Sequence, residues 1–154
     1  MAELIVVLVI LAIAAALVVP YASGGSSQAV SAARVIASDL QYAQSTAVTT
    51  QQPVTVKFTP WENTYTYTLK DSNSLPLIHP ITTKSYTVNF RSMRGFENVT
   101  IVSAVFGSGE LVTFDATGAP DPAGSVTVKA GAFQYRLNVA AATGNVTVTR
   151  LGGT

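Results

Sequence analysis

The chain has 154 residues, of which 48% are hydrophobic, and a formal net charge of +1. The near-zero charge argues against a nucleic-acid binder held by a concentrated basic face. The absence of cysteine excludes disulfides, zinc–thiolate sites and thiol nucleophiles. The length allows one ordinary globular domain behind a leading segment.

The first predicted element is an apolar helix over residues 1–22. No polar side chain occurs from Leu4 to Val19, and with its flanks this run approaches the roughly 20 residues of a membrane span. Glu3 stands where a signal peptide would carry a base, and the first base is Arg34. We therefore expect a helix that is held in lipid or inside a protein bundle, where its backbone satisfies itself.

A flexible or melted link is predicted over residues 23–27. Pro20 removes a backbone donor and disrupts the preceding turn, and the adjacent glycines Gly24 and Gly25 cost about 2 kcal/mol of helix stability relative to alanines. We expect residues 19–27 to be kinked or melted, with the two glycines as a hinge. A plain linker between an anchor and a domain is the alternative.

An amphipathic helix is predicted over residues 28–52, with Ser27 as its N-cap and Pro53 beyond its end. Apolar residues at spacings of three and four form one narrow stripe, which we expect to pack on a sheet. Its members are Ala29, Ala33, Ile36, Leu40, Ala43 and Ala47. Because most of them are alanine, the partner surface can approach the helix closely.

Residues 53–154 are predicted to form an antiparallel β domain. About eight runs alternate apolar and polar residues, and short turns rich in Gly, Asn and Asp separate them. No helical pattern intervenes, which favours antiparallel pairing in two small sheets, one of them covered by the helical stripe. The terminal "LGGT" is expected to be a loose tail. The predicted fold class is therefore α+β.

The opening resembles the N-terminal signature of type IV pilins and type II secretion pseudopilins. In that signature a glutamate starts an apolar helix and a proline follows at the distance that separates Pro20 from Glu3. The stretches "AARVIASDLQYAQSTAVTTQQPVTVKF", "LVTFDATGAPDPAGSVTV" and "YRLNVAAATGNVTV" are similar to the pseudopilin H and FimT-like group. The resemblance implies a type IV pilin-like fold, with a long N-terminal helix packed on antiparallel sheet. Residues 59–108 depart from the family pattern, and we expect this protein's own specificity there.

The resemblance gives the apolar helix a role in assembly. It implies that Glu3 pairs with the N-terminal amine of an adjacent subunit, whereas the residues alone equally allow Glu3 to reach water at the headgroup level. Pro20 belongs to the same assembly element. The helix would then pack in a filament core through Leu4, Ile5, Val6, Val7, Leu8, Val9, Ile10, Leu11, Ile13, Leu17, Val18 and Val19.

The position of Glu3 also bears on processing. In the family the glutamate is usually the fifth mature residue, so we expect either two residues ahead of Met1 or a different processing site. The short basic leader of the family does not occur before the apolar run, which favours a mature chain. The resemblance implies that its N-terminus is methylated.

These features predict a non-enzymatic structural subunit that polymerises into an extracellular type IV pilus-like filament, as a major pilin-like subunit. The alternatives are a minor tip pseudopilin of a type II secretion system and a FimT-like DNA-uptake minor pilin. The expected partners are identical subunits in a helical filament, and the resemblance implies an inner-membrane assembly platform and a prepilin peptidase. No cofactor or small molecule is expected, and nucleic acid is disfavoured. The chain would reside in the bacterial inner membrane before assembly and on the cell surface afterwards, where cell adhesion is an expected role.

Other candidate residues carry weaker signals. His79 is the only histidine, so a zinc site or a catalytic triad lacks support. Asp115 and Asp121 could hold calcium, although Asp-Ala-Thr-Gly is also a good turn. Asn98 and Asn145 lie in glycosylation sequons. Four aromatic residues could line a surface contact or simply pack on a sheet: Trp61, Tyr65, Tyr67 and Tyr86.

Overall fold

The computed structural model of the chain describes residues 25–60 and 66–152. Within these ranges one long helix, α1, runs over Gly25–Thr50, and a short 3-10 helix covers Phe90–Ser92. The strands are β1 (Val54–Phe58), β2 (Thr66–Lys70), β3 (Thr87–Asn89), β4 (Val99–Phe106), β5 (Leu111–Phe114), β6 (Pro120–Asp121), β7 (Gly124–Ala130), β8 (Phe133–Val139) and β9 (Val146–Gly152). The predicted apolar helix over 1–22, with Glu3, Pro20 and its core residues, lies outside the described residues, as does Gly24.

Helix α1 begins at Gly25, ahead of the predicted start at residue 28, so Gly25 is helical and not part of a melted link. The physical reason is a tertiary contact. A Cβ built at Gly25 would lie 3.1 Å from the carbonyl oxygen of Ala130 and 3.7 Å from the ring of Phe133. The first turn of α1 is therefore seated against the β7–β8 turn, and such packing outweighs the low intrinsic helix propensity of glycine.

The buried stripe of α1 contains all six residues expected to pack on a sheet, and Ala32 in addition. Each of them has no exposed surface: Ala29, Ala32, Ala33, Ile36, Leu40, Ala43 and Ala47. The stripe packs against strands of both sheets, β7, β8 and β9 of one and β1 of the other, so it contacts a second sheet in addition to the one that was expected. Because alanines carry no bulk beyond Cβ, two sheets can approach the same stripe from either side.

The strands form two antiparallel sheets. One has five strands in the order β3-β2-β1-β5-β6, and the other has four strands in the order β4-β7-β8-β9. The chain changes sheet between β4 and β5, where Phe106 and Gly109 exchange N–H···O bonds of 2.9 and 3.0 Å. The Phe58 N–H then donates to the Glu110 carbonyl at 2.9 Å. The two sheets thus meet at a corner and enclose one core with α1.

The end of the chain also differs from expectation. Strand β9 extends to Gly152, which pairs with Gln134 of β8, so Leu151 and Gly152 belong to the sheet and not to a loose tail. The pairing resumes at Gly152, after a register irregularity at Leu151, because β8 extends far enough to provide Gln134 as a partner.

Aromatic residues fill the core between the sheets. The Phe58 ring lies 5.4 Å from that of Tyr67 and 5.9 Å from that of Phe106, and the Tyr67 ring lies 5.9 Å from that of Phe90. All four side chains are buried. Burial of each such ring stabilises the fold by about 1.5–3 kcal/mol relative to exposure.

Candidate assembly and recognition surfaces

Between β2 and β3 the chain makes an excursion over residues 71–86. It carries the three most exposed large apolar side chains among the described residues: Leu75 and Ile78 are each 62% exposed and Ile81 is 84% exposed. The excursion falls inside residues 59–108, the region that departs from the family pattern. Exposed apolar side chains gathered in one segment make the excursion a candidate interaction surface.

Backbone hydrogen bonds hold the excursion in a defined shape. The Leu77 N–H donates to the Leu69 carbonyl of β2 at 2.9 Å, and the Tyr86 N–H donates to the Leu77 carbonyl at 2.6 Å. The His79 N–H donates to the Lys84 carbonyl at 2.8 Å, which makes the outer part a small hairpin. The excursion is thus an ordered projection from the edge of the five-stranded sheet.

A largely buried carboxylate on α1 anchors this projection. Asp39 Oδ2 accepts a 2.6 Å hydrogen bond from the Tyr67 hydroxyl, and Asp39 Oδ1 accepts a 2.9 Å bond from the Tyr86 hydroxyl. Burial raises the pKa of Asp39, while the two hydroxyl donors and the nearby His79 lower it in part. Burial and the Asp39 carboxylate together raise the pKa of both tyrosines. The two phenols therefore remain protonated donors over the ordinary pH range.

Ring contacts complete this group, which we call the Asp39 cluster (Asp39, Tyr42, Tyr67, His79 and Tyr86). The Tyr86 ring stacks on that of Tyr42 at 5.4 Å and lies 4.5 Å from the imidazole of His79. The imidazole in turn accepts from two backbone N–H groups of its own hairpin, at 3.1 and 3.3 Å. His79 therefore helps to fix the shape of the hairpin and packs against Tyr86.

Two of the four aromatic candidates, Tyr67 and Tyr86, are buried in the cluster and do not line a surface. For Tyr67 the packing alternative is therefore the correct one. Trp61 and Tyr65 lie outside the described residues.

The two candidate calcium ligands lie in a turn and on a strand. Asp115 Oδ1 accepts from the Thr117 N–H at 2.8 Å, from the Thr117 hydroxyl at 2.6 Å and from the Ala119 N–H at 3.0 Å, and these bonds lower the pKa of Asp115, with the Thr117 hydroxyl as the largest cause. Asp121 is exposed on β6, where it pairs with Thr113. In residues 25–60 and 66–152, no group of three or more acids or histidines is placed to hold a metal.

A glutamine on α1 ties the helix to both sheets. Gln44 Nε2 donates to the Gly118 carbonyl at 2.7 Å and to the Thr143 carbonyl at 2.8 Å. Gly118 lies in the turn between β5 and β6, and Thr143 lies in the turn between β8 and β9. One side chain thus fixes the relative position of two turns that belong to different sheets.

The three bases of the last third do not form one patch. Lys129 and Arg136 are exposed on the outer face of the four-stranded sheet, whereas Arg150 pairs with Tyr135 on the opposite face and lies 5.2 Å from the centre of the Phe133 ring. A DNA-binding edge would require such bases side by side. Asn98 and Asn145, the sequon residues, are both exposed.

The family of the chain is identified by a sequence match to the region that contains these surfaces. The sequence model of the family described as type II transport protein GspH matches residues 32–144, which include the Asp39 cluster, the excursion and the Gln44 contacts. The chain belongs to the GspH family. The predicted resemblance to the pilins and pseudopilins, closest to the pseudopilin H group, is thereby confirmed. None of the curated proteins matches the chain.

Solved structures share the fold of the chain. The type IV minor pilin FimU of Pseudomonas aeruginosa is 16% identical, with a TM-score of 0.58 over 83% of this chain and 94% of that one. A second crystal form of FimU gives a TM-score of 0.53 over 80% and 96% of the two chains. The minor pseudopilin EpsH from the type 2 secretion system of Vibrio cholerae is 11% identical, with a TM-score of 0.52 over 81% and 97%. The predicted α+β pilin-like fold is confirmed.

The membrane segment of this GspH-family chain was expected in residues 1–22, ahead of the described part. Of the helices in residues 25–60 and 66–152, none is long and apolar enough to cross a membrane.

Proposed function

We propose that this GspH-family chain is a minor, non-catalytic subunit that assembles with other pilin-like subunits into a type IV pilus or a type II secretion pseudopilus. The observation that carries the proposal is the GspH match over residues 32–144. FimU and EpsH, two proteins with the same fold, are a minor pilin and a minor pseudopilin. These comparisons favour the minor-subunit alternative over the major pilin-like subunit that was expected first.

The described fold supports this role through the position of α1. The helix begins at Gly25, three positions after the end of the apolar run of residues 1–22, and its stripe is buried from Ala29 to Ala47. The β domain is therefore fixed to the helix that leads to the apolar segment. In our proposal that segment waits in the inner membrane and then packs among the corresponding segments of other subunits, while the domain displays its excursion to a neighbour.

Glu3 is the assembly group in this proposal. A carboxylate in an apolar medium costs several kcal/mol unless it is paired, and no basic residue precedes Arg34. Docking beside the N-terminal amine of an adjacent subunit relieves that cost. Processing by a prepilin peptidase and delivery by an inner-membrane platform complete the proposal, since the family resemblance implies both.

The proposal is tested by measuring how much of the full chain is present in filaments sheared from its own cells. We expect wild-type chain in the filaments at far less than one copy per copy of another, dominant pilin. Glu3→Ala and the isosteric Glu3→Gln should leave the amount of membrane-inserted chain unchanged and should remove the chain from the filaments, because the paired carboxylate is lost.

Arg34→Ala provides the matched control, because Arg34 is an exposed charge on the helix that follows. It should enter filaments like the wild type. A filament composed mainly of this chain would overturn the minor-subunit assignment, and wild-type incorporation of Glu3→Ala would overturn the pairing role of Glu3.

A further inference from the structure

The four sheet edges of the described fold are unequal. The five-stranded sheet ends in β3, which has three residues, and in β6, which has two residues and includes Pro120. The four-stranded sheet ends in β4, with eight residues, and β9, with seven. Short edge strands and proline discourage further pairing, whereas long edges invite it. Only the four-stranded sheet therefore has edges long enough to accept another strand.

The two long edges differ in their surroundings. The 3-10 helix of Phe90–Ser92 and strand β5 both pack near β4, and β4 carries a register irregularity between Ile101 and Ser103. Strand β9 pairs with β8 on one side, and no described strand pairs with its other side. Its five pairs from Val146 to Arg150 are in regular register with β8. The outer side of β9 is thus a regular edge within the part of the chain that the structure describes.

The backbone groups that face outward can be assigned from the ladder. The Ala140 N–H donates to the Asn145 carbonyl across the β8–β9 turn. Because bonded and non-bonded pairs alternate in an antiparallel ladder, Thr147 and Thr149 bond to β8. The N–H and C=O groups of Val146 and Val148 then point away from β8, toward any added strand.

The side chains of β9 separate into an apolar and a hydroxyl face. Val146 and Val148 pair with the buried residues Val139 and Leu137, on the α1 side of the sheet. Val148 is nevertheless 40% exposed, so α1 covers this row only in part. Thr147 and Thr149 are exposed on the opposite face. The one charged group of the strand, on Arg150, lies near the Phe133 ring.

We propose that an extended strand of a different polypeptide adds to the outer side of β9. The row of outward N–H and C=O groups requires an extended backbone. The strand carries apolar residues at alternate positions, beside Val146 and Val148 on the α1 side, and uncharged hydroxyl or other small polar residues beside Thr147 and Thr149. This interaction is independent of the proposed function, because it rests on the edge of the domain and not on the apolar segment.

A second copy of this chain does not fit the same edge through its own β9, and its β4 carries a register irregularity with the 3-10 helix and β5 packed nearby. Symmetric pairing of two β9 strands is antiparallel, with a two-fold axis normal to the joined sheet. Both α1 helices would then lie on the same face and point in opposite directions. Their Gly25 ends, which lead to the apolar residues 1–22, would point away from each other and would not enter one membrane or one bundle.

The test places a photo-crosslinking amino acid, p-benzoylphenylalanine, at position 146 or at position 148 of the full chain in its own cells. We expect both positions to capture one segment of one other protein, at partner residues spaced two apart, which is the spacing of a paired strand. Val148→Lys should abolish capture from position 146, because a charge on the partly covered row opposes the apolar side chains of the added strand. Val105→Lys is the matched control, since Val105 is 55% exposed on β4, and it should leave capture intact.

Four results would overturn the proposal: capture of a second copy of the chain, capture of its own residues outside β9, capture at scattered partner residues, and no capture at all. If Val148→Lys fails to fold, the spacing of the partner residues captured from positions 146 and 148 still tests the proposal, because that measurement does not use the variant. The amount of chain in sheared filaments is measured in the same cells. If the chain is present in filaments but the capture pattern is absent, only the β9 proposal is contradicted. If the capture pattern is present but the chain is absent from filaments, only the minor-subunit assignment is contradicted.

Discussion

At the scale of single residues, Asp39 joins three parts of the fold. Its two oxygens accept from Tyr67 of β2 and from Tyr86 at the end of the excursion, while its backbone belongs to α1. Burial of a carboxylate is unfavourable, and the two hydroxyl donors offset part of that cost. Removing the carboxylate would leave two buried phenols without their acceptor, at about 1–3 kcal/mol for each. The excursion is therefore attached to the helix by one side chain.

Asp39 should make stability depend on pH. Its pKa in the folded chain lies above the ordinary value of 3.8, mainly because of burial. The folded chain thus binds this proton more tightly than the unfolded chain does. The stability that Asp39 contributes is fully present below about pH 3.8 and is lost as the pH rises through the folded pKa. We expect the wild type to lose stability relative to Asp39→Asn across that window, measured by thermal unfolding of the detergent-solubilised full chain.

Comparison with Asp39→Asn is necessary because Glu97 and Asp115 have lowered pKa values and act in the opposite direction. Asp71→Asn is a suitable control, since Asp71 accepts only from backbone groups of its own turn. A stability difference between wild type and Asp39→Asn that does not change with pH, or that grows as the pH rises, would contradict this account.

Sequence reasoning missed Asp39, and the reason is physical. An aspartate within an amphipathic helix normally faces water, and its buried partners Tyr67 and Tyr86 lie far along the chain. A signal was present, since Asp39 lies one helical turn from Ile36 and Ala43, two members of the buried stripe. By contrast, the Asp115 turn was predictable because all of its bonds are local.

At the scale of elements, the approach of β7 to β4 depends on a missing side chain. A Cβ at Gly124 would overlap the carbonyl of Val105 and lie 2.8 Å from the Cα of Phe106. Both are backbone atoms that cannot rotate away. Gly124 is therefore required where the first residue of β7 meets the last residues of β4.

Gly124→Ala should lower the free energy of unfolding by about 3 kcal/mol, at the upper end of the usual cost of overpacking. Gly109→Ala is the matched control, because the nearest atom to its added Cβ would be 4.0 Å away. Thermal unfolding of the two variants compares them directly. Equal stability of both variants would show that β4 and β7 can separate without cost.

The elements themselves were largely predictable, and their arrangement was not. The helical stripe and the main strands follow from apolar periodicity, which indicates the face of each helix or strand that is buried. Periodicity does not state which strand is the neighbour, so neither the division of strands between two sheets nor the contact of α1 with both could be derived. β6 has only two residues, too few to show a period. The early start of α1 depends on packing at Ala130.

At the scale of the whole molecule, one alanine-rich helix packs against two sheets. The side chain of Gln44 holds a turn from each sheet at one end of α1, and Gly25 is seated on the β7–β8 turn at the other. The pilin-like architecture was predictable because the N-terminal signature, with Glu3 and Pro20, is typical of that family. Whether the chain is a major or a minor subunit was not, because the copy number of a subunit in a filament is not encoded in the pattern of one chain.

The division into two sheets has a consequence for the order of folding. In the four-stranded sheet, only Gly131 and Ala132 separate β7 from β8, and a short turn joins β8 to β9. In the five-stranded sheet, β1 must pair with β5, so residues 54–58 meet residues 111–114. Closing a long loop costs more entropy than closing a short one, and distant pairings form slowly.

We therefore expect β7, β8 and β9 to form a nucleus on which α1 docks before β1 meets β5. Pulse-labelled hydrogen exchange during refolding should show amide protection in residues 124–152 ahead of residues 54–58. Simultaneous protection of both regions would contradict this order. If this order holds, α1 and β1 leave the ribosome before β7, β8 and β9. Neither α1 nor β1 can then pack in its final place until those last strands have been synthesised.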